Sequence, residues 1–238
     1  MHRWGVAQEL VPPSTADALK YVTALRCGQT EAPESAVRKD VPDEVVDATL
    51  PHLVPTVAAM VQVQRWAVMR PNEVCRMQVG DIDKSRKDGI WLYYPPKHKG
   101  TWRGHGRIVP LGEPEQAVLL PYLEGKSPEQ PVFYSQRGRR YTSKSYRGAI
   151  ARTIEQANQS LLPEQQIPHW TPYQLRHAGV SELVAEHDGD REIARAVAGQ
   201  KSIAVTQDYN HADLKIAIKQ AKKRGKQSGD SLEGQPVS

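Results

Sequence analysis

The chain has 238 residues, of which 25% are charged and 39% hydrophobic, and its formal net charge is +5 at pH 7. This length allows one substantial hydrophobic core with a small second unit, and no apolar run reaches the ~20 residues that a membrane-spanning helix needs. Two cysteines are too few for a disulfide framework, and no Cys/His spacing indicates a zinc site, so the sequence favours a cytoplasmic protein without a bound metal.

The N-terminal stretch predicts a short helical segment followed by a linker. Pro12 and Pro13 divide residues 1–25 into one or two helices, and the first residues lack the apolar core of a secretion signal. Residues 26–42 are polar, contain two prolines and show no periodicity, which is typical of a linker. The main domain is therefore expected to begin near Pro42.

A helix junction is predicted around Arg70. Upstream of it, Val57, Val61 and Val68 lie on one helical stripe within residues 55–69. Arg70 then directly precedes a proline. A residue before proline avoids helical geometry, and proline favours the first helical position, so one helix should end and another begin here. Arg70 is thus placed beside a helix N-terminus.

Two strands and a long basic loop are predicted next. Residues 90–94 and 107–111 are rich in β-forming residues. The intervening "PPKHKGTWRGHG" is too long for a tight turn and rich in glycine, so we expect a mobile hairpin loop that carries Lys97 and Lys99. Residues 97–107 form a first basic block without any acid: Lys97, Lys99, Arg103 and Arg107. A second block without any acid follows between residues 130 and 154: Arg137, Arg139, Arg140, Lys144, Arg147 and Arg152. Together the blocks indicate a surface that binds polyanions.

Further helices are predicted in the C-terminal half. Residues 150–161 have the apolar periodicity of an amphipathic helix. Asp190 can cap a short helix that Gly199 would stop. A last helix is expected over about residues 212–223, and residues 224–238 form a basic, then Gly/Ser-rich tail that we expect to be disordered.

The stretch "TPYQLRHAG" (residues 171–179) marks the start of another helix. Thr171 is a good N-cap, a proline follows it, and Gln174 completes a capping box. Tyr173 and Arg176 then share one face at the positive end of the helix, where anions are favoured. A capped surface helix with an exposed arginine fits the same residues, so this stretch alone does not decide between the two interpretations.

These residues together fit the cleavage of a phosphodiester. Arg70 and Arg176 can bind the non-bridging oxygens and neutralise charge in the transition state. Tyr209, in "TQDYNH", can attack phosphorus and form a covalent ester, and Lys99 can protonate the departing sugar oxygen. This chemistry requires neither a metal nor a nucleotide, and the sequence has no glycine-rich P-loop.

In chain order, these stretches resemble the catalytic domain of the tyrosine recombinases, or phage-type integrases. "MRPNEVCRMQVGDID" is similar to the first box of that family, and "YQLRH" to the second. "AGQKSIAVTQDYNH" resembles the final box, with Gln200 at the expected spacing before Tyr209. "HKGTWRG" followed by "RIVPLG" looks like the hairpin that carries the family's lysine. The resemblance covers about residues 42–223.

The resemblance implies a fold and a domain organisation. We expect an α+β, mainly helical domain over residues 42–223, with a small antiparallel sheet and a basic β-hairpin loop. Residues 1–41 would be the remnant of an N-terminal helical DNA-clamping module plus its linker. Family members usually carry a longer module there. A truncated gene, a catalytic-domain fragment and a naturally minimal enzyme therefore all stay open.

The resemblance also implies six catalytic residues: Arg70, Lys99, Tyr173, Arg176, Gln200 and Tyr209. The two arginines would bind the phosphate, Tyr209 would be the nucleophile and Lys99 the general acid. Lys97 is the close alternative, because nothing in the local chemistry separates the two lysines.

Two of these six residues depart from the family pattern. Tyr173 stands where a histidine is commoner, and Gln200 where a histidine or tryptophan is usual. Both can hydrogen-bond a phosphate, but neither acts as a base at neutral pH. Glu73 would support Arg70, and His177 is expected to pack or hydrogen-bond within the domain.

The implied function is site-specific DNA recombination through a 3′-phosphotyrosyl intermediate. It would involve double-stranded DNA, a homotetramer on that DNA formed from monomers in solution, no cofactor and no membrane. Two alternatives stay open. A catalytically weak or inactive DNA-binding remnant would form no covalent adduct with a nicked duplex, and a type IB topoisomerase-like enzyme would relax supercoils without a specific site.

Overall fold

The computed structural model describes residues 2–22, 40–96, 107–187, 190–199 and 209–232, and within the last range the side chains of residues 214–225. The chain divides into two units, residues 1–38 and 39–238. In the first unit, helix α1 (His2–Ala7) packs on α2 (Pro13–Ala18). Proline suits the first position of α2, because a backbone N–H at that position would have no partner within the helix.

Three helices open the second unit: α3 (Asp43–Thr49), α4 (Pro55–Trp66) and α5 (Pro71–Arg76). Proline begins both α4 and α5, and Arg70 is the N-cap of α5, so the predicted helix junction is confirmed. The helix predicted to reach residue 69 ends earlier, at Trp66. Val68 adopts a left-handed backbone conformation (φ +49°), which an α-helix cannot continue through.

The predicted small antiparallel sheet is confirmed, with strand order β1 (Ile82–Asp83), β2 (Trp91–Tyr93) and β3 (Val109–Leu111). In its register, Tyr93 faces Ile82 on one side and Val109 on the other. Strand β1 was not predicted from the sequence, because a strand of two residues has too little periodicity to be detected. Residues 97–106, which hold most of the predicted hairpin loop, lie outside the described residues.

Over the described residues, five α-helices complete the domain: α6 (Glu113–Leu123), α7 (Ser143–Asn158), α8 (Pro172–Glu186), α9 (Arg191–Ala198) and α10 (Tyr209–Leu232). The predicted caps are present. Gln174 Oε1 accepts the Thr171 N–H at 2.9 Å, and Asp190 accepts the N–H of Glu192 at 2.9 Å. Gly199 ends α9 with φ +59°. Among the described residues, none of the helices is both long and apolar enough to cross a lipid bilayer.

The last helix differs from the prediction. It begins at Tyr209 rather than near residue 212, and it continues to Leu232 through a segment predicted to be disordered. Contacts with α6 account for part of the extension. Arg224 lies 2.7 Å from the fully buried carboxylate of Glu115, and a side chain at Gly225 would contact Glu113. The sequence pattern did not indicate this extension of α10, because an ion pair with a distant helix leaves no local periodicity.

Three groups of buried apolar residues, counted where the chain is described, connect these elements. The largest lies among α4, α5, α7 and the sheet, and contains Met60, Tyr93 and Tyr146. A second joins α8, α9 and α10, and a third places Ala221 of α10 against Leu92 of β2. Helix α10 is therefore fixed to both α9 and the sheet, which determines where its first residue lies.

Candidate active site

Arg70 lies between α4 and α5 and is held by its own helix. Its backbone N–H donates to Glu73 Oε2 at 2.8 Å, and its Nη1 donates to Glu73 Oε1 at 2.9 Å. Its Nη2 lies 3.5 Å from the carbonyl oxygen of Gly199. The side chain remains 35% exposed. Arg70 is thus fixed in place and still accessible to a ligand, and Glu73 supports it as the sequence predicted.

Arg176, in the first turns of α8, is only 8% exposed. Its Nη1 donates to the carbonyl of Val68 at 2.7 Å, and its Nη2 donates to the carbonyl of Ala198 at 2.6 Å. The alternative of an exposed arginine on a surface helix is therefore wrong. The guanidinium instead joins the segment before Arg70 to the C-terminal end of α9.

Two further residues, neither of them predicted, shape this junction. Val68 is β-branched, and its backbone adopts the left-handed conformation, which costs of order 1–3 kcal/mol. Its carbonyl oxygen accepts a hydrogen bond from Arg176. Gln64 is fully buried, and its Nε2 donates to the carbonyl of Met69 at 3.2 Å and to that of Pro172 at 2.6 Å. Gln64 therefore ties the Arg70 segment to the start of α8.

Arg107, just before β3, is a third arginine that the sequence analysis did not select. Its side chain is 5% exposed, and its Nε lies 3.1 and 3.2 Å from the two carboxylate oxygens of Glu73. Its Nη2 lies 3.5 Å from the carbonyl of Val68. One signal was available in the sequence. Residue 107 alternates with Val109 and Leu111, both buried, and an inward-facing arginine needs a buried partner.

Counting described residues only, the cluster has three guanidinium groups, those of Arg70, Arg107 and Arg176, and one carboxylate, that of Glu73. Burial raises the pKa of Glu73, but Arg107 and then Arg70 outweigh it and hold that pKa below its usual range. Burial, then Arg107 and Arg70, lower the pKa of Arg176 to about 9. Arg176 is thus still a cation at neutral pH, and within the described ranges no carboxylate pairs with it. An excess of buried positive charge favours an anionic ligand.

Of the other predicted residues, two have described side chains and three lie outside the described ranges. Tyr173 is 45% exposed at the start of α8, near enough to affect Arg176 electrostatically. His177 was expected to pack or hydrogen-bond within the domain; it is exposed on the outer side of α8, so the expected packing is wrong. Lys97, Lys99 and Gln200 lie outside the described residues.

Tyr209 is the first residue of α10, whose backbone is described there while the Tyr209 side chain is not. The described part of the chain contains no group of three or more His, Cys, Asp or Glu side chains arranged to hold a metal ion.

The chain is similar to known proteins over most of its length. The sequence model of the Phage integrase family matches residues 40–215. Tyrosine recombinase XerC of Thermodesulfovibrio yellowstonii is 28% identical over 160 residues, which are 63% of this chain and 48% of that protein. XerC of Bacillus subtilis is 24% identical over 157 residues, 62% of this chain and 46% of that protein. The chain spans about half the length of the curated relatives it matches.

Solved structures have the same fold. An integrase of transposon Tn1549, in complex with a circular intermediate DNA, superposes with a TM-score of 0.61 at 14% identity, covering 85% of this chain and 74% of that one. A lambda integrase dimer bound to a core site gives 0.54 at 14% identity, covering 87% and 70%. With a family match over most of its length and a domain of this fold, the chain belongs to the Phage integrase family, as a tyrosine recombinase catalytic domain.

Proposed function

We propose that this chain breaks and rejoins double-stranded DNA as a site-specific recombinase, through a 3′-phosphotyrosyl intermediate. The observation that carries the proposal is the excess of buried positive charge around Arg176. That guanidinium is bound to two carbonyls and pairs with no carboxylate in the described part of the chain. A phosphodiester placed beside Arg70 and Arg176 would supply the missing negative charge.

In the proposed reaction, the Tyr209 oxygen attacks phosphorus and the bond from phosphorus to the 5′ oxygen breaks. Lys99 gives its proton to that departing oxygen, and the phenol proton passes to solvent, since neither Tyr173 nor Gln200 is a base at neutral pH. The two arginines stabilise the charge on the non-bridging oxygens. Attack by a 5′ hydroxyl on the phosphotyrosine then reverses the steps and rejoins the strand.

A basic surface supports DNA as the substrate. The residues of the second basic block are all exposed: Arg137, Arg139, Arg140, Lys144, Arg147 and Arg152. DNA is present in the Tn1549 and lambda integrase structures that share this fold. We further propose a monomer in solution that forms a tetramer on DNA, and a reducing, cytoplasmic setting consistent with the buried free thiol of Cys75.

Trapping on a nicked suicide duplex tests the proposal. The duplex, taken from the genomic neighbourhood of the gene, loses a short fragment after cleavage, so that religation fails and the covalent complex accumulates. We expect mass spectrometry to show protein joined to one DNA strand. Binding without any adduct would identify a non-catalytic remnant. Relaxation of supercoiled plasmids of any sequence would instead identify a topoisomerase-like enzyme.

DNA binding is expected to depend strongly on salt. If about five charges of the two basic blocks neutralise phosphates, log K should fall with log salt at a slope near −4 to −5. Arg147→Gln should weaken binding to all sequences and make this slope shallower by about one. Arg86→Gln is the matched control, because Arg86 is already paired with Asp88 at 2.6 Å. Fluorescence anisotropy at several salt concentrations measures both, and a salt-independent affinity would contradict the prediction.

The assignment of the general acid can be tested chemically. Lys99→Ala should slow cleavage of an ordinary duplex, yet be largely rescued by a substrate with a 5′-bridging sulfur, because a thiolate leaves without needing a proton. Lys97→Ala serves as the control and should show neither effect. If the rescue follows Lys97 instead, the general acid moves by two residues.

A further inference from the structure

We propose that Arg107 is a positioning residue for strand cleavage, which acts by holding the carboxylate of Glu73 so that Arg70 keeps its charge and orientation available to the phosphate. The inference rests on the proposed function and extends it to a residue outside the predicted catalytic set. It is carried by three observations: the contacts of Arg107 with Glu73, its position beside Gly199, and the charge balance of the cluster.

The first observation concerns how Glu73 is shared. Its Oε1 and Oε2 lie 3.1 and 3.2 Å from Arg107 Nε, while Arg70 reaches the same carboxylate with its backbone N–H and Nη1. The Glu73 side chain is only 9% exposed. If Arg107 were absent, Arg70 would be the only cation among the described residues in contact with this buried carboxylate. Its guanidinium would then serve to neutralise Glu73 rather than an incoming phosphate.

The second observation is the close approach of Arg107 to Gly199. The left-handed conformation of Gly199 (φ +59°) suits glycine, and a Cβ at this position would overlap Arg107 Nη1. That Nη1 atom is buried and has no hydrogen-bond partner among the described residues. Arg107 therefore extends from the start of β3 to the end of α9, next to the carbonyl that Arg70 Nη2 approaches.

The third observation is the charge balance. In the part of the chain that the structure describes, the charged and titratable groups that face Glu73 are Arg70, Arg107, Arg176 and Tyr93. The Tyr93 hydroxyl donates to the Glu73 carbonyl at 2.8 Å. With Arg107 present, three cations and one anion leave a net charge of +2 for the phosphate. Removal of Arg107 halves that surplus and also removes the strongest influence that keeps the pKa of Glu73 low.

Single-turnover cleavage of the suicide duplex, measured from about pH 5 to 8, tests the inference with Arg107→Met and Arg107→Lys. We expect Arg107→Met to be slower by about 100-fold at neutral pH, the effect of a displaced catalytic group. Its rate should recover in part on acidification, since Glu73 now takes up a proton at a higher pH than in the wild type and, once neutral, no longer engages the charge of Arg70. Lysine, which restores the charge but not the fork, should recover part of the rate at neutral pH and reduce this gain on acidification.

Two more variants separate positioning from a loss of folding. In a Glu73→Gln background, Arg107→Met should add little further loss, because both changes act through the same contact. Gly199→Ala should slow cleavage by displacing Arg107 from the other side. Arg65→Met is the matched control: Arg65 pairs with Asp43 and Asp47 on α3, so its loss should leave the cleavage rate unchanged.

The outcomes distinguish this inference from the proposed function. If the wild type cleaves and Arg107→Met cleaves equally well with the same pH profile, the inference is overturned and the proposed function stands. If the wild type cleaves no duplex, the proposed function fails, and thermal unfolding tests the contact itself. The stability deficit of Arg107→Met should then shrink as the pH falls and Glu73 is protonated. A deficit that does not change with pH would overturn the inference.

Discussion

Replacement of Tyr209 by phenylalanine is expected to abolish the covalent protein–DNA adduct completely while DNA affinity changes by no more than a small factor. The substitution removes only the phenol oxygen, which forms the bond to phosphorus but contributes little to binding of the intact duplex. Denaturing electrophoresis with the suicide duplex measures the adduct, and fluorescence anisotropy measures the affinity.

Two other tyrosines provide controls for this experiment. Tyr173→Phe should still form the adduct, at a reduced rate, because Tyr173 lies at the start of α8 near Arg176 but is proposed to hydrogen-bond the phosphate only. Tyr94→Phe should behave as the wild type, since Tyr94 is 42% exposed and lies after β2. An adduct that persists in Tyr209→Phe would assign the nucleophile to another tyrosine, which peptide mapping of the linked protein would identify.

Arg70→Ala and Arg176→Ala are each expected to lower the cleavage rate by about 10²–10³-fold, because each removes a charged donor from the transition state. Their effects on stability should differ. Arg176→Ala leaves the carbonyls of Val68 and Ala198 without this donor inside the domain, at a cost of about 1–3 kcal/mol per group. Arg70→Ala should cost less, because its side chain is partly exposed and Glu73 keeps Arg107. Cleavage rates and thermal unfolding, measured on the same samples, check both statements.

Lysine variants show whether the fork of the guanidinium matters. Arg70→Lys and Arg176→Lys should restore little activity, because an ammonium cannot donate two parallel hydrogen bonds in a fixed plane. Arg86→Ala is the control, an arginine paired with Asp88 on the surface away from the cluster. Full activity of the lysine variants would mean that simple charge attraction is sufficient at this site.

The sequence was sufficient to place the parts of the site that depend on local signals. Arg70 at a helix junction follows from the proline after it, and the start of α8 follows from the capping box of Thr171 and Gln174. The same holds for Gly199 at the end of α9. In each case the residues that determine the backbone are neighbours in the chain, and so the pattern can be recognised without the fold.

The parts that depend on distant partners could not be predicted in this way. Arg107 and Glu73 are separated by 34 positions, and Gln64 and Pro172 by 108. Neither local sequence contains a signal that indicates its distant partner. In addition, Arg107 lies in a basic segment whose arginines all suggested a solvated, DNA-facing role. The catalytic roles of all six predicted residues stay predictions from the family resemblance: Arg70, Lys99, Tyr173, Arg176, Gln200 and Tyr209.

Arg176 donates hydrogen bonds to two backbone carbonyls, and this affects the order in which inactive copies of such a gene would accumulate mutations. Its guanidinium joins two parts of the backbone, so a descendant that no longer cuts DNA would still need it in order to stay folded. The phenol of Tyr209, by contrast, is proposed to serve the chemistry alone. Under relaxed selection we therefore expect mutations to accumulate at position 209 before they are tolerated at position 176. In surveys of genomes, the tyrosine rather than the arginine would then mark the copies that remain active.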